Sequence, residues 1–241
     1  MKKLADIKGI IFDYGGTIDT NGHHWAEVLW EKYKELGIPV SKDEFKKAYI
    51  YGERTLALTP LVKPEHNFYD VLLLKTGLQI SYLIDKGFLK EEEATLMSFP
   101  EKISESCYSY VQNVLITTRK VVERLLTEYK LVLVSNFYGN IETILKDFNL
   151  LCFFKGIIES SVVGVRKPDP AIFALGVSTM GYEPHEIAVV GDSFSKDIVP
   201  AHKVGCKTIW LKGMGWEETV DESLPDVIID NLDQLPELFC L

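Results

Sequence analysis

Cysteine is scarce in this chain, four residues among 241, and no two of the four stand close together. Cys107, Cys152, Cys206 and Cys240 form no CxxC pair. That excludes a thiolate metal site of the usual spacing and a disulfide framework, and it fits a reducing, cytoplasmic setting. Long apolar runs are missing too. No stretch approaches the roughly 20 apolar residues of a membrane span, and the opening Met1-Lys2-Lys3-Leu4-Ala5-Asp6 lacks the apolar segment of a secretory signal. Nor is there a surplus of positive charge. A net charge of −9 and a pI near 5.1 argue against non-specific nucleic-acid binding and against anionic membranes. A phosphate substrate stays open, because a local positive site can sit in a negative protein. Internal repeats and low-complexity segments are also absent.

What is present is an ordinary globular composition, 46% hydrophobic and 25% charged, in a chain long enough for one core and an insertion. The stretch Ile10-Ile11-Phe12-Asp13-Tyr14-Gly15-Gly16-Thr17-Ile18-Asp19 stands out. A continuous apolar run ends in an aspartate, as a parallel strand covered on both faces does when it reaches the edge of its sheet. Ligands of open α/β sheets bind just beyond that edge. The two glycines allow a sharp turn and a close approach of backbone to ligand.

From about Thr20 the apolar spacing becomes helical and stays so for some ninety residues. Trp25, Leu29, Tyr33 and Leu36 mark one helix, closed by Gly37 and Pro39. Ser41 and Glu44 open a second with a capping box. Phe68, Val71, Leu72, Ile80, Leu83 and Ile84 predict a long or paired helix with Gly77 as a break, and Ile103, Cys107, Tyr110 and Val111 predict another. The run Glu91-Glu92-Glu93 reads as a solvated helix start. After Ile116 strands and helices alternate. Strands are expected at 131–134, 156–158, 187–190, 207–211 and 227–229, after the first at 7–13. A helix is expected at Val121–Leu126, separate from the one before it, and another capped by Asp169 with Pro170 at its first position and closed by Gly181. Alternation of this kind implies an α/β fold, a Rossmann-like doubly wound parallel sheet. Residues 1–19 and 116–241 form the expected core and 20–115 a helical cap inserted after the first strand.

Asp13, Ser135 and Asp192 all fall at expected strand ends, where residues distant in sequence meet. Taken with Asp13-Tyr14-Gly15-Gly16-Thr17, Ser135-Asn136, Lys167-Pro168-Asp169-Pro170 and Gly191-Asp192-Ser193 followed by Asp197, the set resembles the haloacid dehalogenase superfamily, in particular its members with a helical cap after the first strand. The resemblance covers essentially the whole chain. It implies a phosphatase acting through an aspartyl-phosphate on Asp13, with magnesium as cofactor. Asp13, Asp192 and the backbone carbonyl of Gly15 would hold the metal. Ser135, Asn136, Thr17 and Lys167 would bind the phosphoryl group, with Ser135 and Lys167 as catalytic partners of Asp13, and Asp197 would support Lys167 or a metal-bound water. The partner implied is a small phosphorylated compound, and the protein is expected as a monomer or homodimer.

One position departs from the pattern. Most phosphatases of the superfamily carry a second aspartate two residues after the nucleophile, which protonates the leaving group and later activates water. Here that position is Gly15, and loss of such a group costs about a hundred- to ten-thousandfold in rate. Three readings follow. The protein is a phosphohydrolase in which another group, drawn from Asp19, His23, His24 or Tyr14, stands in. Or it cleaves carbon–halogen or carbon–phosphorus bonds, the latter in its relatives through a cap lysine, for which Lys32, Lys34, Lys46 and Lys47 are available. Or it is an impaired member that binds a phosphorylated ligand or a protein. Arg54 and His66 read as solvated, and Trp25, Trp30, Tyr49 and Tyr51 as packing residues of the cap.

Overall fold

The computed structural model describes residues 3–213 and 220–239; Cys240 lies outside them. Six strands form one parallel sheet: β1 (Gly9–Phe12), β2 (Lys130–Ser135), β3 (Gly156–Glu159), β4 (Ile187–Gly191), β5 (Lys207–Leu211) and β6 (Val227–Ile229), in the order β3-β2-β1-β4-β5-β6. β1 sits in the middle. Phe12 is in register with Leu133 of β2 and Val190 of β4, so the three chains leave the sheet side by side.

The continuous apolar runs resolve into two faces by the period of two. Ile10, Phe12, Leu131, Leu133, Ala188 and Val190 belong to one apolar cluster. Ile11, Val132, Val134, Ile187 and Val189 belong to another. The second is covered by α8 (Ala171–Met180) and α9 (Val199–Val204), through Ile172, Phe173, Val177 and Ala201. The first is covered by α5 (Phe99–Leu126) and α6 (Ile141–Asp147). The doubly wound sheet expected from the sequence is therefore present. Short α7 (Ser160–Val163) and α10 (Leu235–Leu238) complete the core. Asp169 Oδ1 accepts the Ala171 N–H at the head of α8, and Gly181 ends that helix with φ +71°.

Between β1 and β2 the described chain is helical throughout: α1 (Trp25–Glu35), α2 (Lys42–Leu58), α3 (Phe68–Asp85), α4 (Glu91–Met97) and the start of α5. The Ser41–Glu44 capping box forms on α2, and Asn67 with Asp70 makes a second on α3. Of the long or paired helix expected here, the long one forms: α3 runs through Gly77, because Val71, Thr76, Gln79, Ile80 and Leu83 keep one buried stripe across it. Two expectations need correction. β1 begins at Gly9, two residues later than expected. And no break separates the helices before and after Ile116. Cys107, Val111, Leu115, Thr118, Val122 and Leu125 form a single buried stripe at helical spacing that runs past Ile116, itself 58% exposed. No helix among the described residues is long and apolar enough to cross a membrane.

α8 lies close to the sheet because Gly176 has no side chain. A Cβ there would stand 2.9 Å from Ile11 Cδ1 and 3.0 Å from Val134 Cγ2. Gly176→Val should therefore destabilise the fold by about 1–3 kcal/mol in urea unfolding. Gly77→Ala, where a Cβ meets nothing within 4 Å, should stabilise it by about 0.5–1 kcal/mol.

Candidate active site

The neighbouring strands β1, β2 and β4 deliver Asp13, Ser135 and Asp192 to one edge of the sheet. After β1 the chain makes a wide turn over Tyr14–Ile18, with Gly16 at φ +99°. A Cβ on Gly16 would stand 2.3 Å from Asp192 Oδ2, so both backbone conformation and space call for glycine. The turn brings Thr17 back between two carboxylates. Its Oγ1 lies 3.1 Å from Asp13 Oδ2 and 3.2 Å from Asp192 Oδ1 and accepts the Asp192 N–H at 3.1 Å. With one proton to give, the hydroxyl serves one carboxylate at a time.

Lys167 enters from the loop before α8. Its backbone is held by Asn136, which donates Nδ2 to the Lys167 carbonyl at 3.0 Å and accepts the Lys167 N–H at 2.9 Å. The Asn136 side chain is thus engaged in fixing the lysine. The Lys167 ammonium, 3% exposed in its side chain, bridges Asp13 Oδ1 and Asp197 Oδ1, the latter at 2.7 Å. Asp197 is held in turn by the Ser193 N–H. Asp13, Gly15, Ser135, Asn136, Lys167, Asp192 and Asp197 all line a single cleft of 1660 Å³, whose other side is built by α2 and α3.

Charge in this corner is unbalanced. One carboxylate oxygen from each of Asp13, Asp192 and Asp197 lies within 4.8 Å of the others. Burial works against the Lys167 charge, but Asp13 and Asp197 outweigh it and hold the ammonium above the usual lysine range. Burial raises Asp197 to about 6 against the pull of Lys167. Burial and the charges of Asp13 and Asp197 hold Asp192 well above the usual carboxylate range. Three carboxylates facing one ammonium leave surplus negative charge, and the donors are all oxygen. Such a set fits a hard divalent cation such as magnesium.

The groups considered as replacements for the second aspartate are each otherwise engaged. Tyr14 is fully buried edge-on to Phe68 and Phe137, its hydroxyl without a hydrogen-bond partner among the described residues. Asp19 accepts from the Gly16 N–H at 2.7 Å and from Trp25 Nε1 at 2.8 Å. His23 stacks on Tyr110 and does not line the cleft. His24 does line it, but its Nδ1 accepts the Ala26 N–H at the head of α1. In the neutral ring that puts the proton on Nε2, which makes that nitrogen a donor and not a base. At Gly15 itself φ is −80° and ψ 111°, open to any residue, and a Cβ would meet nothing within 4 Å.

Lys32, Lys34, Lys46 and Lys47 do not line the cleft. The lysine that does, on the helical side, is Lys75, paired with Glu53 of α2 at 2.6 Å. Burial lowers its affinity for a proton, but Glu53, Tyr138 and Tyr49 together outweigh it and hold it charged. An ammonium is no nucleophile, so Lys75 offers no free amine for a Schiff-base route. Sequence reasoning missed both residues. The available signal was Lys75 on the inward stripe of α3, one turn after Val71 and three residues after Leu72. Arg54 and Trp25 also line the cleft, while His66 does not.

A family model of haloacid dehalogenase-like hydrolases matches residues 7–205. The chain is 34% identical over 103 residues to haloacid dehalogenase-like hydrolase domain-containing protein 3 of Danio rerio, 43% of each chain. It is 36% identical over 88 residues to glyceraldehyde 3-phosphate phosphatase of Pyrococcus furiosus, 36% of this chain and 37% of that one. The matched stretches thus span less than half the length of these relatives. Among solved structures, the magnesium-bound hydrolase YfnB of Bacillus subtilis shares the fold with a TM-score of 0.60 at 19% identity, covering 98% of this chain and 99% of that one.

Burial raises Asp19 to about 7, against the hydrogen bonds from Gly16 and Trp25, while an aspartate in an unfolded chain titrates near about 3.9. Between those values the folded chain keeps a proton that the unfolded chain has lost. The contribution of Asp19 to stability is therefore greatest below the lower value and declines as pH rises to the upper one. The stability of the metal-free wild type relative to Asp19→Asn should fall from pH about 4 to about 7, read by thermal unfolding of both across that range.

Proposed function

This chain belongs to the haloacid dehalogenase-like hydrolases, and from that premise we propose that it is a magnesium-dependent phosphatase of a small phosphorylated compound, with Asp13 as nucleophile. One observation carries the reading. The buried Lys167 ammonium joins Asp13 to Asp197, and Thr17 joins Asp13 to Asp192, at the end of the central strand. A carboxylate tied in this way is oriented for attack and protected from collapse onto its neighbours.

Asp13 attacks phosphorus; its oxygen–phosphorus bond forms as the bond to the leaving alcohol breaks. Lys167 and Ser135 hold the transferring group and stabilise its developing charge. Asp197 keeps the lysine in place, and Asn136 fixes the loop that carries it. A magnesium ion held by Asp13, Asp192 and the Gly15 carbonyl would mask the negative charges of nucleophile and substrate from each other. The relatives named as phosphatases support the choice of phosphoryl chemistry. Residues 20–115 act as the cap that closes the cleft to water. The setting is cytoplasmic, and the protein works as a monomer or homodimer.

The second half of the reaction, attack of water on the aspartyl-phosphate, lacks the base that Gly15 would otherwise supply. An aryl phosphate, whose leaving group needs no proton, should release a burst of phenolate followed by slow turnover. Gly15→Asp, for which there is room, should raise steady turnover by about a hundred- to ten-thousandfold. An unchanged steady rate in that variant would sink this account of Gly15. Separately, calorimetric titration with magnesium should give about tenfold or more weaker binding in Asp192→Asn than in the wild type. Equal binding by the two would remove Asp192 from the metal site.

A further inference from the structure

The helical side of the cleft holds a second ion pair. Lys75 lies inside α3 and is 8% exposed. Its Nζ stands 2.6 Å from Glu53 Oε1 and 5.9 Å from the centroid of the Trp25 ring. From the loop after β2, Tyr138 donates its hydroxyl to Glu53 Oε2 at 3.3 Å. That loop is clamped, since Glu159 accepts the backbone N–H groups of Gly139 and Asn140. Trp25, Glu53, Lys75 and Tyr138 all face the same cleft as Asp13 and Ser135.

A buried ion pair is a poor way to hold two helices together, because the cost of desolvation rivals the attraction gained. Its chemistry suits recognition better. The cluster sets an ammonium, a carboxylate and a phenol side by side with no net charge. The Glu53 side chain is 33% exposed, so its carboxylate remains within reach of a donor from the cleft. A hydroxyl group satisfies such a wall, since it donates to the carboxylate and accepts from the ammonium. A carboxylate only accepts, and it would meet the charge of Glu53. The Trp25 face beside the pair suits the C–H surface of a polyol chain or ring. Burial pushes the Tyr138 phenol up to about 12, and Lys75 stays charged. Lys75 and Tyr138 therefore act by binding rather than by proton exchange.

We propose that Glu53 and Lys75 are the specificity-determining pair of this cleft and that they read neighbouring hydroxyl groups on the alcohol half of the substrate, a phosphorylated polyol or sugar. The inference rests on the phosphatase reading and extends it to the leaving group.

The test is a ratio: kcat/KM for erythritol phosphate over kcat/KM for phosphoglycolate, with magnesium present and phenyl phosphate as a third substrate. Wild type should favour the polyol. In Glu53→Gln the ratio should fall by about tenfold to a hundredfold, the usual worth of a hydrogen bond to a charged group. The double variant Lys75→Met/Glu53→Leu leaves no unpaired charge in the wall, and its ratio should fall likewise, which guards against a folding defect in the single variant. A wild type that cleaves phenyl phosphate but shows no polyol preference, or variants with an unchanged ratio, would overturn the role of the pair alone. A wild type that releases no phenolate at all would overturn the phosphatase reading and this inference with it.

Discussion

The ammonium of Lys167 is the point on which the site depends. It lies buried between the carboxylates of Asp13 and Asp197, and an ion out of water is tolerable only where its partners are held in place. The surrounding structure does that holding. β1 brings Asp13, Asn136 grips the lysine backbone from the end of β2, and the turn after β4 positions Asp197 against Gly191, where a Cβ would stand 2.4 Å from the Asp197 Cβ. Three segments spread over most of the sequence are fixed relative to one another by one charge. Without Lys167 the three acids would lose the cation that balances them, and burial already holds Asp192 and Asp197 above the usual carboxylate range.

Around this fixed corner the chemistry is lopsided. On the proposed reading, the groups that would bring a carboxylate to phosphorus gather at the sheet edge, while the position that would handle the proton is bare backbone at Gly15. The residues that come nearest in sequence are spent elsewhere: Asp19 on the turn, His24 on the head of α1, Tyr14 in the core. On that reading the site is furnished more completely for forming a covalent bond to the protein than for breaking it.

Much of this could be read from the residues alone. Apolar runs ending in Asp13, Ser135 and Asp192 gave away the strands and their common edge, because strands buried on both faces leave no alternation to misread. The helices were legible where caps and stripes agreed, as at Ser41 and Glu44. Legibility failed where a local cue contradicted tertiary packing. Ile116 is apolar yet exposed, and Gly77 sits in a helix that its buried neighbours carry through. The Glu53–Lys75 pair was hidden for a different reason. Its members belong to two helices, and only packing shows that a lysine on an inward stripe has a carboxylate to meet.

The unbroken α5 has a mechanical meaning. Its 28 residues make a rod about 42 Å long. One end packs with α3 at the cleft wall and the other under the sheet. A lid hung on two loose linkers can swing freely; this one cannot. On one side the chain crosses by the short connection from Asp19 to α1, but on the other it crosses inside a helix whose hydrogen bonds continue through the junction. Any opening and closing of the proposed cap would therefore flex that rod or tilt it as a lever, and the stiffness of one helix would limit how far the mouth of the cleft gapes.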